Sequence, residues 1–312
     1  GEGPRAPLHP SRSALVARTS QGRARVLAAS CPAPRLAPRR ATDYASCMRW
    51  ALFAAVLLLS IAGFALGAWL GGKSKRVATA TVAVGLLALV ARTATRYLPH
   101  LEYHLLPFDW YAVVHPWWVI PAAFLTLGVG TRQMSTPNGR RLVGVFAGAL
   151  LLVCMQRLWI TARFDPATVH GRLNREGLCI QSTDYSCGAA SAVMLLHQAG
   201  VASTEREMAE LCWTNGLTGT DEFGVCMGLR RKLAGSGRRP ALVRSDWDDL
   251  VRRRGPAMAT IYFGFMIDHW VLVLEAREHE VVLLDPLAGR RVLTRDEFLA
   301  VWRRGLVVID AG

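Results

Sequence analysis

Apolar positions dominate the first half of the chain in long blocks, and alternate with polar ones in the second half. Residues 50–70 carry no charge, and Ser60 is their only polar side chain. A run of about 20 apolar residues matches the roughly 30 Å hydrocarbon thickness of a bilayer. Further apolar segments at 77–91, 111–130 and 142–160 predict about four membrane-crossing helices, the second being the shortest. Pro116 and Pro121 are read as tolerated kinks within the third. Trp110, Trp117, Trp118 and Trp159 stand near segment ends, as an interfacial aromatic belt requires, and Arg157 lies close enough to an end to snorkel. Gly63, Gly67 and Gly71 recur at every fourth position, as do Gly144 and Gly148. That spacing lets helix backbones approach closely in lipid, and it also arises from ordinary glycine scatter.

From about residue 172 the periodicity changes to the 3.6- and 2-residue repeats of a globular domain. Helices are predicted at 187–199, 204–212, 222–233, 246–254 and 294–302, and strands at 257–263, 270–276, 281–284 and 306–309. Thr294 with Glu297 makes a capping box for the last helix. Helices first and an antiparallel sheet after them is an α+β order, and about 140 residues suffice for one core.

Composition supports this division. Hydrophobic residues make up 52% and charged residues only 19%, below the roughly 25% of an average soluble domain. The net charge is +14, but eight arginines against Glu2 and Asp43 place much of it in residues 1–47. That Pro/Arg/Ala-rich stretch has too little apolar surface to offset its ordering entropy. It reads as a disordered basic tail, an organelle-type targeting segment, or sequence upstream of the native start. The last is favoured because Met48-Arg49-Trp50 opens the apolar run at once. The expected organisation is therefore a basic segment at 1–47, a transmembrane helical region at 48–163 and a soluble domain at 172–312. The arginines do not interleave with stacking aromatics, so nucleic acid is not an expected partner. No His/Cys cluster has metal spacing, and neither metal nor cofactor is expected. Gly67 to Ser74 fits the phosphate-loop pattern, but it closes an apolar helix where such a loop needs a preceding strand, so ATP is not expected either.

Loop charges bear on topology. Lys73, Lys75, Arg76, Arg132, Arg140 and Arg141 fall in the first and third loops without acids. The positive-inside rule puts these loops in the cytoplasm and both termini, with the soluble domain, outside. The margin is small, because Arg49, Arg92, Arg96 and Arg163 lie on the other side.

Chemistry concentrates at Cys187. The run from Gln181 to Ala190 sets a thiol where a polar loop becomes an apolar helix. A helix N-terminus carries about half a positive charge and stabilises a thiolate. Gly188 and Ala189 are expected to leave open space beside the sulfur for an approaching carbonyl. Gln181 is placed to offer its side-chain N–H to an oxyanion, beside the Cys187 backbone N–H. A buried structural cysteine is the commoner fate of a free thiol, and that reading is kept for Cys179, Cys212 and Cys226. A nucleophilic thiolate needs an imidazole, and the imidazole needs an orienting group. His269 begins one strand and Asp285 ends the next, so a tight turn around residues 277–280 would bring them together at the hairpin's open end. Their side chains face one way only if the loop is odd in length or a strand carries a bulge. Asp268 points across the pleat and is set aside as the orienting acid. His197 and His279 lie too far from the thiol, and His100, His104 and His115 stay unassigned.

In these residues the chain resembles the papain-like cysteine peptidases that remove double-glycine leader peptides from bacteriocin precursors. Gln181 with Cys187-Gly188 and Ala190, then His269-Trp270-Val271, then Asp285-Pro286 with Gly289 follow that family's order. Gly219-Thr220, Gly255-Pro256 and Glu297-Phe298 with Trp302 are weaker matches. The resemblance implies a papain-like fold, with Cys187 as nucleophile, His269 as general base and acid, Asp285 as orienting group and Gln181 as oxyanion donor. It implies a peptide or protein substrate, cleaved after small residues. Many exporter-linked members have an acid before the nucleophile, where this chain has Ser186. The expected activity is that of a membrane-anchored cysteine peptidase working through an acyl-enzyme, with the lipid bilayer as its other partner. A catalytically silent peptide-binding domain and a thiol acyltransferase are the alternatives.

Overall fold

The computed structural model describes residues 38–264 and 267–311. Most of the basic segment, residues 1–37, lies outside them. The first helix, α1 (Pro38–Gly71), begins upstream of the apolar run, so the end of the segment expected to be disordered is helical. Next come α2 (Lys75–Tyr97), α3 (Pro99–Leu105), α4 (Asp109–Val114), α5 (Val119–Gln133) and α6 (Pro137–Ala162). Among the described residues three helical segments are long and apolar enough to cross a membrane: Cys47–Gly71, Lys75–Thr95 and Pro137–Ala162.

The weak segment is the third, where the sequence pattern pointed to the second. Arg92 does not stop α2. The stretch at 111–130 is instead split, because Pro116 has no N–H to continue the helical ladder. Hydrogen bonding there tightens into three-residue turns, Trp117 N to Val114 O at 2.9 Å and Ile120 N to Trp117 O at 3.0 Å. Pro116 therefore breaks the helix, while Pro121 sits harmlessly in the first turn of α5. At 15 residues and about 1.5 Å per residue, α5 falls short of the roughly 30 Å core.

α5 lies parallel to α1 in close contact. A Cβ on Gly63 would meet Pro121 O at 2.9 Å, one on Gly71 would meet Val129 O at 3.0 Å, and one on Gly67 would overlap Leu125 O. Gly144 and Gly148 face nothing within 4 Å, so the four-residue spacing is a packing device in α1 and scatter in α6. Gly67→Val is accordingly expected to cost about 1–3 kcal/mol through overpacking and to lower the thermal midpoint in detergent. Gly144→Val should leave the midpoint unchanged. The Gly67–Ser74 pattern closes α1 and opens α2, where Ser74 accepts from Val77 N at 3.3 Å; among the described residues no strand precedes it.

After a three-residue 3₁₀ turn (Pro166–Thr168), the remaining elements are α7 (Cys187–Gln198), α8 (Glu205–Leu211), α9 (Glu222–Lys232), β1 (Arg238–Arg244), α10 (Trp247–Arg253), β2 (Ala257–Gly264), β3 (Ile267–Ala276), β4 (Glu280–Asp285), β5 (Gly289–Thr294), α11 (Arg295–Val301) and β6 (Trp302–Ala311). The six strands form one antiparallel sheet in the order β1-β6-β2-β3-β4-β5. The two strands absent from the sequence reading, β1 and β5, are its edges. An edge strand tolerates charge and proline: β1 contains Pro240, and β5 is largely exposed. β6 also starts earlier than expected, with Arg304 at φ 66° beside a register shift against β2. The capping box forms as expected, with Thr294 N donating to Glu297 Oε2 at 2.8 Å.

One sheet face packs on α7–α9 through Trp270, Leu272 and Leu284, and the other on α10 and α11 through Trp247, Val271 and Phe298. The first core does not stop at the expected boundary near residue 172. Tyr103, Tyr111, Ala112 and Val113, from α3 and α4, are buried in the same cluster as Ala189 and Leu196, and Pro38–Gly312 forms one compact unit.

Candidate active site

Cys187 is the first residue of α7, and the residue is half-buried. The loop before it is held by hydrogen bonds of its own residues. Ser186, buried completely, accepts from Thr183 N at 3.2 Å and from Thr183 Oγ1 at 2.9 Å. Its hydroxyl thus locks the turn that launches α7. Glu205, also fully buried, accepts from Ser182 N at 3.0 Å and Ser182 Oγ at 2.7 Å.

Gly188 does not provide the open space expected of it. A Cβ there would lie 2.9 Å from Thr220 Cβ and 3.2 Å from Trp270 Cδ1, and Ala189 is fully buried. Small residues are needed because the loop ending at Thr220 and the indole of Trp270 press against α7. Trp270 Nε1 donates to Thr220 O at 2.9 Å, joining the two.

His269 and Asp285 meet at the open end of the β3–β4 hairpin. The turn closes by Arg277 N to Glu280 O at 2.8 Å, and the parity condition is met by a bulge in β3. Val273 pairs with Leu283, but Glu275 pairs with Val282. The extra residue rotates one strand's pleat relative to the other, so His269 Nε2 reaches Asp285 Oδ1 at 2.8 Å. Both side chains are about 5% exposed. Asp285 Oδ1 also accepts from Leu287 N at 2.8 Å and Ala288 N at 3.3 Å. Asp268 is engaged elsewhere, accepting from Arg303 Nε at 2.8 Å.

Electrostatics follow from this geometry. Burial opposes charge on His269, but hydrogen bonds to Asp285 and to Cys187 outweigh it and push the imidazole up to about 9. Burial likewise opposes charge on Asp285, yet the bond from His269 and the backbone N–H groups hold its carboxyl below the usual range. With Nε2 committed to Asp285, Nδ1 is the nitrogen available to the thiol. Burial drives the thiols of Cys179 and Cys226 up to about 12, and raises that of Cys212 as well. A raised thiol holds its proton and is a poor nucleophile at neutral pH.

Gln181 stands in the loop before Cys187. Its backbone N–H donates to Pro286 O at 2.9 Å, which ties this loop to the turn after Asp285. Its Nε2 donates to Thr183 O at 2.8 Å, so one N–H of the amide is spent and the other is left for an acceptor. Sequence reasoning missed Arg291, whose Nη1 lies 3.6 Å from Asp285 Oδ2. It also missed Thr220 as the wall behind Gly188, although Gly219-Thr220 had drawn notice. Among the described residues no group of His, Cys, Asp and Glu forms a metal site.

The Peptidase C39 family pattern matches residues 175–311. Over 139 residues the chain is 31% identical to an uncharacterized protein of Methanothermobacter thermautotrophicus, a match that spans 44% of this chain and 91% of that relative. The chain belongs to the Peptidase C39 family. A second relative, the probable functional amyloid protease FapD of Pseudomonas fluorescens, is 30% identical over 137 residues, which cover 42% of this chain and 59% of FapD. Among solved structures, the peptidase domain of Streptococcus ComA aligns with 46% of this chain and 98% of its own length, at 13% identity and a TM-score of 0.38. Within this C39 chain, Gln181, Cys187, His269 and Asp285 all fall inside the matched residues, and α1–α6 lie outside them.

Proposed function

We propose that this chain is a multi-pass, membrane-anchored cysteine peptidase that hydrolyses peptide bonds through Cys187, His269 and Asp285. The observation that carries the reading is the buried His269–Asp285 pair at 2.8 Å, with Cys187, the first residue of α7, among the groups that raise the same imidazole. Family membership and the 30% identity to a named protease support it.

In the reading, Nδ1 of His269 takes the thiol proton and the sulfur attacks the scissile carbonyl. The first N–H groups of α7 have no intrahelical partner, so the Cys187 N–H and the spare N–H of Gln181 receive the oxyanion. The imidazolium returns its proton to the departing amine as the C–N bond breaks. Water, deprotonated by His269, then releases the acyl group as a carboxylic acid. Asp285 holds the ring and compensates its charge throughout. A cavity of about 600 Å³ beside His269 is lined by Phe263, Leu287, Leu293, Arg291 and Glu297, and suits a mainly apolar peptide segment. Leader peptides cut after small residues are the proposed substrates, on the strength of the Gln181–Cys187–His269 pattern.

Three spanning helices and the shorter α5, which runs beside α1, bring Gly71 and Gln133 to one end of the bundle, where Gln133 Nε2 donates to Gly71 O at 2.8 Å. Lys73, Lys75, Arg76, Arg132, Arg140 and Arg141 gather there, away from the peptidase fold. The positive-inside rule makes that end cytoplasmic and the peptidase extracytoplasmic.

The pH dependence is signed. An ordinary imidazole loses its proton near pH 6.5. His269 keeps its proton to about 9, and the leaving amine needs that proton. Cleavage is therefore expected to fall as pH rises through about 9 in a pH–rate profile, well above the ordinary value.

The test is to reconstitute the full chain in nanodiscs and supply peptides with small-residue sites, with and without added amine. Free-acid products that disappear in Cys187→Ala support hydrolysis. Amide products would make it an acyltransferase, and no turnover would leave a binding domain.

A further inference from the structure

We propose that Arg49 and His115, two buried side chains of the helical membrane region, are positioning residues that hold the loop at 213–221 against the active-site helix. The proposal rests on the peptidase reading and extends it to residues outside the stretch that the family pattern matches.

The loop is the wall behind the thiol. Thr220 packs on Gly188 and accepts from the Trp270 indole, the residue next to His269. A Cβ on Gly219, at φ 73°, would lie 2.9 Å from Tyr185 O, two residues before Cys187. Within the loop, Asn215 and Gly219 exchange backbone bonds of 3.0 and 3.1 Å, and Thr214 Oγ1 meets Thr220 Oγ1 at 2.6 Å.

Both ends of the loop are fastened to the helical region. Arg49, 3% exposed, donates from Nη2 to Thr214 O at 3.0 Å and from Nη1 to Thr161 O at 3.1 Å. Its guanidinium lies between two rings, 4.5 Å from the centroid of Trp213 and 4.8 Å from that of Phe164. Trp213 holds a left-handed backbone at φ 57°, a conformation that persists only where its surroundings impose it. At the other end Asp221 caps α9, accepting from Gly224 N at 2.8 Å. Its Oδ2 lies 3.4 Å from His115 Nδ1, and Glu102 Oε2 lies 3.4 Å from Nε2 of the same ring. Neither ring nitrogen makes a hydrogen bond at those distances, so the ring links the two carboxylates as a close polar contact on each side. The ring also stacks on Phe223, centroids 4.4 Å apart, and Tyr111 donates to Glu102.

A loop so fastened transmits any displacement to Thr220, Gly188 and Trp270, and thence to the spacing of thiol and imidazole. Misplacing reacting groups by about 1 Å costs up to roughly 100-fold in rate.

The test compares wild type, Arg49→Met, Arg49→Lys and His115→Phe as full chains in nanodiscs. Arg49→Met keeps the stem and removes the donors, and His115→Phe keeps the stack on Phe223. Two readouts are taken: hydrogen exchange of peptides covering 213–221, and kcat with KM for peptide cleavage. The expected result is faster exchange at 213–221 in Arg49→Met and His115→Phe, with kcat lowered about 10- to 100-fold and KM within about twofold. Arg49→Lys, able to reach one carbonyl, should recover part of kcat. Exchange at 213–221 equal to wild type, or kcat within twofold of wild type in both variants, overturns the proposal. His115→Phe decides if Arg49→Met does not fold. If wild type cleaves no peptide, the peptidase reading fails instead, and the alkylation rate of the Cys187 thiol replaces kcat, read by the same criterion.

Discussion

Cys187→Ser, an exchange of one atom, is expected to lower peptide cleavage by roughly 10⁴-fold or more, the scale on which losing a nucleophile is felt in such triads. The hydroxyl would sit at the same helix start beside the same imidazole. It nevertheless gives up its proton far less readily than a thiol, and His269, pushed up to about 9, is poised as an imidazolium partner for a sulfur anion. Ser186, Thr183 and Glu205 would still hold the loop, so far-ultraviolet circular dichroism and the thermal midpoint should match wild type. The check is kcat on a single peptide, and activity within tenfold of wild type would contradict the assignment.

Asp285→Ala carries the second-largest expected effect, a loss of about 10²- to 10⁴-fold in kcat. Three donors lose their acceptor at once: His269 Nε2, Leu287 N and Ala288 N. The ring loses its fixed orientation, and the buried N–H groups add about 1–3 kcal/mol of instability. The pH profile separates this from a general loss of structure. Without the carboxylate, one of the groups that raise His269 is gone, so the alkaline limb should move from about 9 towards the ordinary 6.5. A surviving limb at about 9 would remove Asp285 from the site.

The arrangement was legible in the sequence where it depends on neighbours along the chain. Cys187 could be read because a polar loop meets an apolar helix there, and the hairpin of His269 and Asp285 because a turn separates two apolar strands. The bulge between Val273 and Glu275, which makes those side chains face one another, could be stated only as a condition, since nothing in the residue types marks it. β1 and β5 escaped notice because edge strands carry the arginines and proline that a central strand excludes. The break at Pro116 looked like a tolerable kink because its surroundings are as apolar as a span. Arg49 and His115 gave no signal at all, since Arg49 bonds a carbonyl 165 residues away. Their role lies in contacts between regions that appear independent in sequence.

The most direct measurement is rapid-quench mass spectrometry of the wild-type chain during peptide turnover, with the modified residue located by proteolysis. An acyl adduct on Cys187, absent from Cys179, Cys212 and Cys226 and lost in Cys187→Ala, is the expected result. Turnover with the adduct on another residue, or turnover that persists in Cys187→Ala, would contradict a thiolate at the start of α7 as the nucleophile.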